Sequence, residues 1–486
     1  MGTGKAVAAG LETVTQFTGI SSDSRRIKPG YLFAAISGAK GDGASFVADA
    51  VARGAVAVLG RPEIGGVVKA AGAQFIAAEN PRLALAEAAA LYFGAQPETV
   101  AAVTGTNGKT SIAVFLREIW THLGKKAASM GTIGVVTPTG LIKLDNTTPG
   151  PLEVHEILAA LEKDGVEHLA LEASSHGLDQ YRLDGVKISA VGFTNLTRDH
   201  LDYHASLEAY LEAKLRLFRE LAEDGAAAVV NADAEYSEHF VAVASQRGLR
   251  LITVGAHGGG IKLIARKPSL DGQELHIAFA GQTYTIALPL AGAFQASNAL
   301  VAAGMAIGLG EDPASVFKAL EHLKGAPGRL EKVAIAASGA PIFVDYAHTP
   351  DALETVLTAL RPHTERKLVV VFGCGGDRDK GKRPLMGAIA ARLADRIIVT
   401  DDNPRTEDSA TIRSEILAAA PGAAEIDDRA QAIHTGISEL SSGDVLVIAG
   451  KGHESGQIVG ATVHPFLDRA EAVKAAIALG GQEYLP

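Results

Sequence analysis

Val103–Ser111, VTGTNGKTS, is the stretch on which the reading of this chain turns. The apolar Thr99–Ala102 precedes it and SIAVFLREIWTHLG follows from Ser111, so a strand, a glycine-bearing turn and a helix are expected in that order. That order predicts a phosphate loop. Gly105 and Gly108 permit unusual backbone angles, the amides of Thr106, Asn107 and Ser111 belong to the cradle, and the helix N-terminus faces the phosphates. Lys109 neutralises β/γ charge, and the Thr110 hydroxyl reaches Mg²⁺. The competing reading is a chance glycine-rich turn. One position departs from the general pattern: Val103 stands where a glycine is expected, so the loop is a variant and not the motor-ATPase form.

Working outward, EHLALEASS and ISAVGFTN continue the alternation of apolar strand and helix, which predicts βαβ units and a mainly parallel sheet. Upstream, Ile20–Arg26, Tyr31–Ala35, Ala55–Leu59 and Gln74–Ala77 read as short strands and turns, with an amphipathic helix over Leu83–Phe93. Downstream, glycine and proline cluster in GAPGRLE, Gly325–Glu331, and mark a boundary. Beyond it PIFVDYAH, KLVVVFGCGG, DRIIVTDDNPR and DVLVIAGKGHE each run from an apolar strand into a polar loop, the usual place for a ligand crevice. The expected fold is α/β with three domains. These are a small mixed α/β domain over 1–86, a central P-loop domain with a mainly parallel sheet over 87–326, and a Rossmann-like domain over 327–486.

A length of 486 residues suits several cores, and 47% hydrophobic residues with 54 glycines suit an enzyme rich in tight turns. The net charge of -10 is spread along the chain, without the basic arm that nucleic-acid binding would suggest. One cysteine, Cys374, excludes an internal disulfide framework. Its opening lacks the pattern of a signal peptide, and the apolar runs Gly225–Asn231 and Lys367–Phe372 are far shorter than the roughly 20 residues of a membrane span, so a cytoplasmic location is expected; a monomer acting on small molecules is a separate expectation.

Six further motifs accompany the loop: LEASSHGLDQYR (Leu171–Arg182), FTNLTRDHLDYH (Phe193–His204), FVDYAHTPDAL (Phe343–Leu353), GCGGDRDKGKRP (Gly373–Pro384), DDNPR (Asp401–Arg405) and GKGHE (Gly450–Glu454). With GTNGKT, this set resembles the Mur ligase superfamily, which includes the folylpolyglutamate synthetases, and within it the MurE type, over essentially the whole chain. The resemblance implies an ATP-dependent acid–amino-acid ligase using Mg²⁺, with Lys109, Glu172, His200 and Lys214 at the reacting centre. Thr110, Glu172 and His200 would be metal ligands, and Lys214 would bridge a second Mg²⁺ as a carbamate. By pattern alone Lys214 is an ordinary snorkelling lysine in AYLEAKLRLF, and His200 reads equally as a histidine bonded to backbone near a helix start.

The resemblance further implies ATP contacts at Asn298, Arg329, Asp345 and His348, although from the residues alone each reads as readily as a helix-surface amide or turn polar group. A UDP-muramoyl dipeptide would meet Ser22, Ser24, Ala39, Lys40, Gly41, Asn146, Thr147, Thr148, Ser174, Gln180 and Arg182. The adjacent Ser175 and His176 lack a nucleophile elbow, which excludes a serine hydrolase. For the incoming amino acid the implied contacts are Arg378, Asp402, Asn403, Pro404, Arg405, Gly450 and Glu454. Pro404 restricts the loop, and the planar fork of Arg405 suits the distal carboxylate of meso-diaminopimelate, which lysine lacks. FLDRAEA, Phe466–Ala472, departs from the F-D-D-R-E form common in the family and receives no assignment. The expected reaction phosphorylates the glutamate carboxylate of the dipeptide and couples it to diaminopimelate, with domain closure excluding water. The alternatives are lysine addition, folate polyglutamylation, and a P-loop ATPase switch that turns over ATP without an amino acid.

Overall fold

Six residues, Thr99–Thr104, form the strand that feeds the phosphate loop, and they do so because all but the first are buried on both faces of a parallel sheet. Residues 11–38, 41–197, 199–200, 203–269 and 272–485 are described in this computed structural model. The chain divides into two units, Met1–Lys109, Gly124–Ile252 and Gly308–Gly310 in one, Thr110–Leu123, Thr253–Ile307 and Glu311–Pro486 in the other.

In the first unit, Gly19–Ser21, Tyr31–Ala34, Ala55–Gly60 and Gln74–Ala77 form a four-stranded parallel sheet in sequence order. The helix Pro81–Phe93 covers one face, capped by Asn80, whose side chain accepts from the amides of Arg82 and Leu83. A second run has the order Ala222–Asn231, Ile188–Phe193, Thr99–Thr104, His168–Glu172, Ala127–Gly131, Gly134–Thr137, Gly140–Ile142. Its first five strands are parallel and its last two antiparallel. Val103 is paired with Gly192 on one side and Glu172 on the other. The departure in the loop thus has a simple cause: position 103 is still strand, and the turn begins at Gly105.

In the second unit the order is Ala424–Glu425, Arg396–Val399, Leu368–Phe372, Val445–Ala449, Pro341–Asp345, Glu331–Ile335, Gln482–Glu483, with Glu331–Ile335 antiparallel to both of its neighbours and every other pair parallel. Apolar clusters fill both faces of this sheet. The unit also contains an antiparallel ribbon, Ile261–Ser269, Gly272–Phe279 and Gln282–Leu288, that the sequence pattern did not announce. At the GAPGRLE boundary the Lys324 amide donates to Glu118 Oε2 at 2.9 Å, and burial pushes the Glu118 carboxyl up to about 7. No helix among the described residues is long and apolar enough to cross a membrane.

Candidate active site

Gly105 has φ +150° and Gly108 φ +87°, and a Cβ at Gly105 would lie 1.9 Å from Thr194 Oγ1, so glycine is required there by space as well as angle. The loop is braced by the segment after Ile188–Phe193. Thr194 Oγ1 donates to Asn107 O at 2.6 Å, Asn195 Oδ1 accepts from the Asn107 amide at 3.0 Å, and the Thr106 amide donates to Asn195 O at 2.9 Å. Lys109 Nζ donates to Gly105 O and Thr106 O. Lys214 Nζ donates to the same Gly105 carbonyl at 2.8 Å and lies 4.2 Å from the Tyr210 ring centroid. Lys214 is only 1% exposed, so the snorkelling reading fails: the ammonium turns into the loop and not to water. Burial, with Lys109 beside it, holds the Lys214 amine well below the usual lysine range. A π-helical turn, Leu217–Leu221, directly follows Leu207–Arg216, the helix that carries Lys214.

Glu172 ends its strand at 3% exposure, and its carboxylate accepts from the Thr132 amide at 2.8 Å and Thr132 Oγ1 at 3.3 Å. Thr132 Oγ1 also pairs with Thr147 Oγ1 at 3.0 Å, which joins the DNTTPG loop to this carboxylate. Thr148 faces inward, donating to Glu172 O and accepting from Ser174 Oγ and the Ser174 amide. A cavity of about 330 Å³ is lined by Ser22, Asn146, Gln180 and Arg182 together with Arg82. Arg182 donates to Thr148 O at 2.7 Å and to Gln180 Oε1 at 2.8 Å. Ser24, in contrast, is buried and bonded to Asp49, while Gly41 is exposed and bridges Gly38. Ala39 and Lys40 lie outside the described residues. His200 has φ +54°, an exposed side chain 3.6 Å from the Asp199 carboxylate, and a ring 5.0 Å from that of His176.

In the second unit, where Thr110 and Ser111 are buried in the first turn of Lys109–His122, a chain of contacts joins the proposed ATP residues. Asn298 Nδ2 donates to Gln295 Oε1, Gln295 Nε2 donates to Arg329 O, and the Arg329 guanidinium lies 4.7 Å from the Tyr346 ring centroid. His348 packs against Tyr346 with centroids 4.5 Å apart. Asp345 accepts from the amides of Leu330 and Ala347, and burial raises its carboxyl to about 6 against the pull of Arg329.

The residues expected to meet the amino acid are held as a lattice. Asn403 donates to Glu454 Oε2 at 2.9 Å and accepts at Oδ1 from Lys451 Nζ at 3.0 Å and the Ile458 amide at 2.9 Å. Asp402 is buried, its carboxyl raised by desolvation and pulled back by Arg429 and Lys451. Arg405 has φ +54°, donates to Gly376 O at 2.7 Å, and is fixed through its backbone by Ile458 O and the Gly460 amide. Pro404 is buried, whereas Arg378 is exposed. Glu407 accepts from the Asp377 amide, Lys380 and Arg383, contacts that hold its carboxyl down at about 2. Of the seven non-glycine residues with positive φ among the described residues, Tyr181, His200, Leu330, Asp377 and Arg405 are or adjoin candidate residues, which is where backbone strain concentrates in functional sites.

Three family models match: "Mur ligase family, catalytic domain" over residues 16–93, "Mur ligase middle domain" over 103–306 and "Mur ligase, glutamate ligase domain" over 328–452. A protein of Bradyrhizobium diazoefficiens named UDP-N-acetylmuramoyl-L-alanyl-D-glutamate–2,6-diaminopimelate ligase is 56% identical over 469 residues, covering 95% of each chain. The chain belongs to the Mur ligase family. It is 52% identical to a ligase of the same name from Brucella melitensis over 479 residues, 99% of this chain and 98% of the other. A solved ligase of that name shares 35% identity with a TM-score of 0.74 over 96% of this chain and 95% of its own. A Mur ligase from Thermotoga maritima in complex with ADP shares the fold, with a TM-score of 0.58 at 18% identity, 96% of this chain and 97% of that one being covered.

Among the described residues no group of three His, Cys, Asp or Glu is placed to hold a metal ion. Sequence reasoning missed Thr132, Thr194, Asn195, Arg82, Gln295, Tyr346, Lys451 and Glu407. Thr194, Asn195, Tyr346 and Lys451 stood inside motifs already quoted, but the others carried no pattern beyond an ordinary polar residue.

Proposed function

We propose that this Mur ligase uses ATP to add meso-2,6-diaminopimelate to the D-glutamate of UDP-N-acetylmuramoyl-L-alanyl-D-glutamate in peptidoglycan precursor synthesis. The observation that carries the reading is the assembly of Asp402, Asn403, Glu454 and Arg405 in one cluster of strand-end loops. Carboxylates suit an ammonium, and a guanidinium suits a carboxylate; diaminopimelate offers both at its distal end. Lysine would leave Arg405 without its carboxylate, and sites built on such a polar contact reject the analogue lacking it. The relatives that bear the diaminopimelate name support the same choice.

The functional division proposed is 1–86 for the nucleotide sugar, 87–326 for ATP and 327–486 for the amino acid. Ser22, Asn146, Gln180 and Arg182 line the cavity that would take the muramoyl peptide. Lys109 would balance phosphate charge while the glutamate carboxylate becomes an acyl phosphate, which the amine then attacks with loss of phosphate. Lys214, whose burial weakens its hold on the proton, would take up CO₂ as a carbamate, forming an N–C bond and releasing a proton. Mg²⁺ held by Thr110 and Glu172, with His200 and the carbamate of Lys214, would supply neutralisation of phosphate charge.

The test is phosphate release from Mg²⁺-ATP and the UDP-muramoyl dipeptide with meso-diaminopimelate, L-lysine or no amino acid. Release that depends on diaminopimelate is expected. Preference for lysine would overturn the assignment of the amino acid, and equal release without any amino acid would return the ATPase switch.

A further inference from the structure

Arg429 opens the helix Arg429–Ser438 and Asp468 opens the helix Asp468–Ala478, and both side chains are fully buried. Arg429 Nε donates to Asp468 Oδ1 at 2.7 Å and Nη2 donates to Oδ2 at 2.8 Å, a bidentate pair. A cation at a helix N-terminus opposes the helix dipole, and burying two charges is costly, so stability alone would be served as well by two apolar side chains. Something other than packing explains the pair.

The remaining donors of Arg429 show what it is. Nη2 also donates to Ala449 O at 3.0 Å, and Nη1 donates to Asp401 O at 3.3 Å. These carbonyls stand where two strands end, Val445–Ala449 and Arg396–Val399, and in the sheet those strands are not neighbours: Leu368–Phe372 lies between them. No ladder of sheet hydrogen bonds can set the spacing of their loops, and the guanidinium spans it instead. Gly450 completes the arrangement. Its φ is +120°, and a Cβ there would fall 2.6 Å from Asp402 Oδ2 and 3.9 Å from Arg429 Nη2, so the Asp402 carboxylate and the guanidinium both flank a position kept bare.

We propose that Arg429, fixed by Asp468, is a positioning residue for the incoming amino acid: it ties the loop presenting Asp402 and Asn403 to the loop presenting Gly450 and Glu454. The inference rests on the reading of these loops as the amino-acid site. It gives the FLDRAEA segment a task, since Asp468 is the residue of that segment that anchors the tie.

The test compares Asp468→Asn, Arg429→Lys and the double variant Arg429→Met/Asp468→Leu with the wild type in initial-rate kinetics on all three substrates. The amino-acid KM is expected to rise on the order of tenfold or more, because small displacements of positioning groups are amplified in this way, while KM for ATP and for the nucleotide substrate stays within about twofold. The double variant removes both charges and leaves neither stranded, so it separates positioning from an unpaired buried charge. Folded variants with an unchanged amino-acid KM, or with all three KM values raised together, overturn the proposal. If the double variant does not fold, Asp468→Asn decides by the same criterion, because it keeps the volume and one acceptor oxygen. The comparison uses whichever amino acid the wild type prefers in a panel of meso-diaminopimelate and L-lysine. A wild type that prefers lysine overturns the amino-acid assignment and leaves this ratio readable.

Discussion

Lys214 and Arg429 are both buried cations within reach of a candidate site, and they are held in opposite ways. Lys214 rests on a backbone carbonyl and an aromatic face, shares that carbonyl with Lys109, and has Asp199, an exposed residue, as the acidic group acting on it. Arg429 has a buried carboxylate in bidentate contact and two further carbonyls. The first arrangement favours loss of the charge and leaves a nucleophilic amine; the second keeps the charge and uses it as a fixed brace. Burial alone therefore does not say what a cation is for. Its partners do.

The comparison is sharpened most by Lys214→Met, which is expected to lower kcat on the order of 100-fold or more, a loss of several kcal/mol of charge stabilisation at the reacting centre. The drop should appear in kcat with the amino-acid KM little changed, and wild-type activity should fall when dissolved CO₂ is stripped while the variant does not respond. If Lys214→Met instead raises only the amino-acid KM, it behaves as Arg429 is expected to and the contrast breaks. Arg405→Ala comes next. It should reduce the preference for meso-diaminopimelate over L-lysine by about 100-fold, read from the two kcat/KM values, because the rejected analogue no longer strands a guanidinium. A smaller effect is expected for Thr132→Val, which removes one hydroxyl bond from Glu172 and should raise the apparent Mg²⁺ requirement about threefold to tenfold, measured by titrating Mg²⁺ at fixed ATP.

The smallest effect concerns a counterpart of Lys214, a half-buried carboxyl bonded to a backbone amide with the Arg117 guanidinium 3.7 Å away. Glu118 has its folded value raised to about 7, so folding takes up a proton. Its contribution to stability is full below the ordinary carboxylate range and is lost as pH rises from there through about 7. Glu118→Gln should remove that slope and raise Tm by about 2–4 °C at pH 8, with little change at pH 4.5, as followed by thermal melts across pH. A variant that is less stable at pH 8 would show that Glu118 works as an anion.

Much of this was legible because periodicity and loop chemistry travel together. Each of PIFVDYAH, KLVVVFGCGG, DRIIVTDDNPR and DVLVIAGKGHE proved to contain a buried strand that ends at a polar loop. The ribbon Ile261–Ser269 was missed because its residues alternate between half-buried and exposed and include Lys, Arg and Pro, so it has neither an apolar run nor a clean alternation. Lys214 was misread by pattern because four methylenes on an apolar face look the same whether the amine finds water or a carbonyl 109 residues away. Arg429 follows two aspartates and reads as a solvated helix start; only tertiary structure brings it to Asp468, 39 residues later.

Gly131 carries a consequence of a different kind. It sits across from Glu172, and a Cβ there would fall 2.0 Å from Glu172 Oε1. Its own φ is not in the left-handed region, so the backbone would accept any residue and only the carboxylate forbids one. In a saturation library screened for growth, position 131 should tolerate as few substitutions as position 172 itself, although glycine has no side chain with which to touch a substrate. The gene would then register the shape of a carboxylate at a codon that encodes nothing but its room.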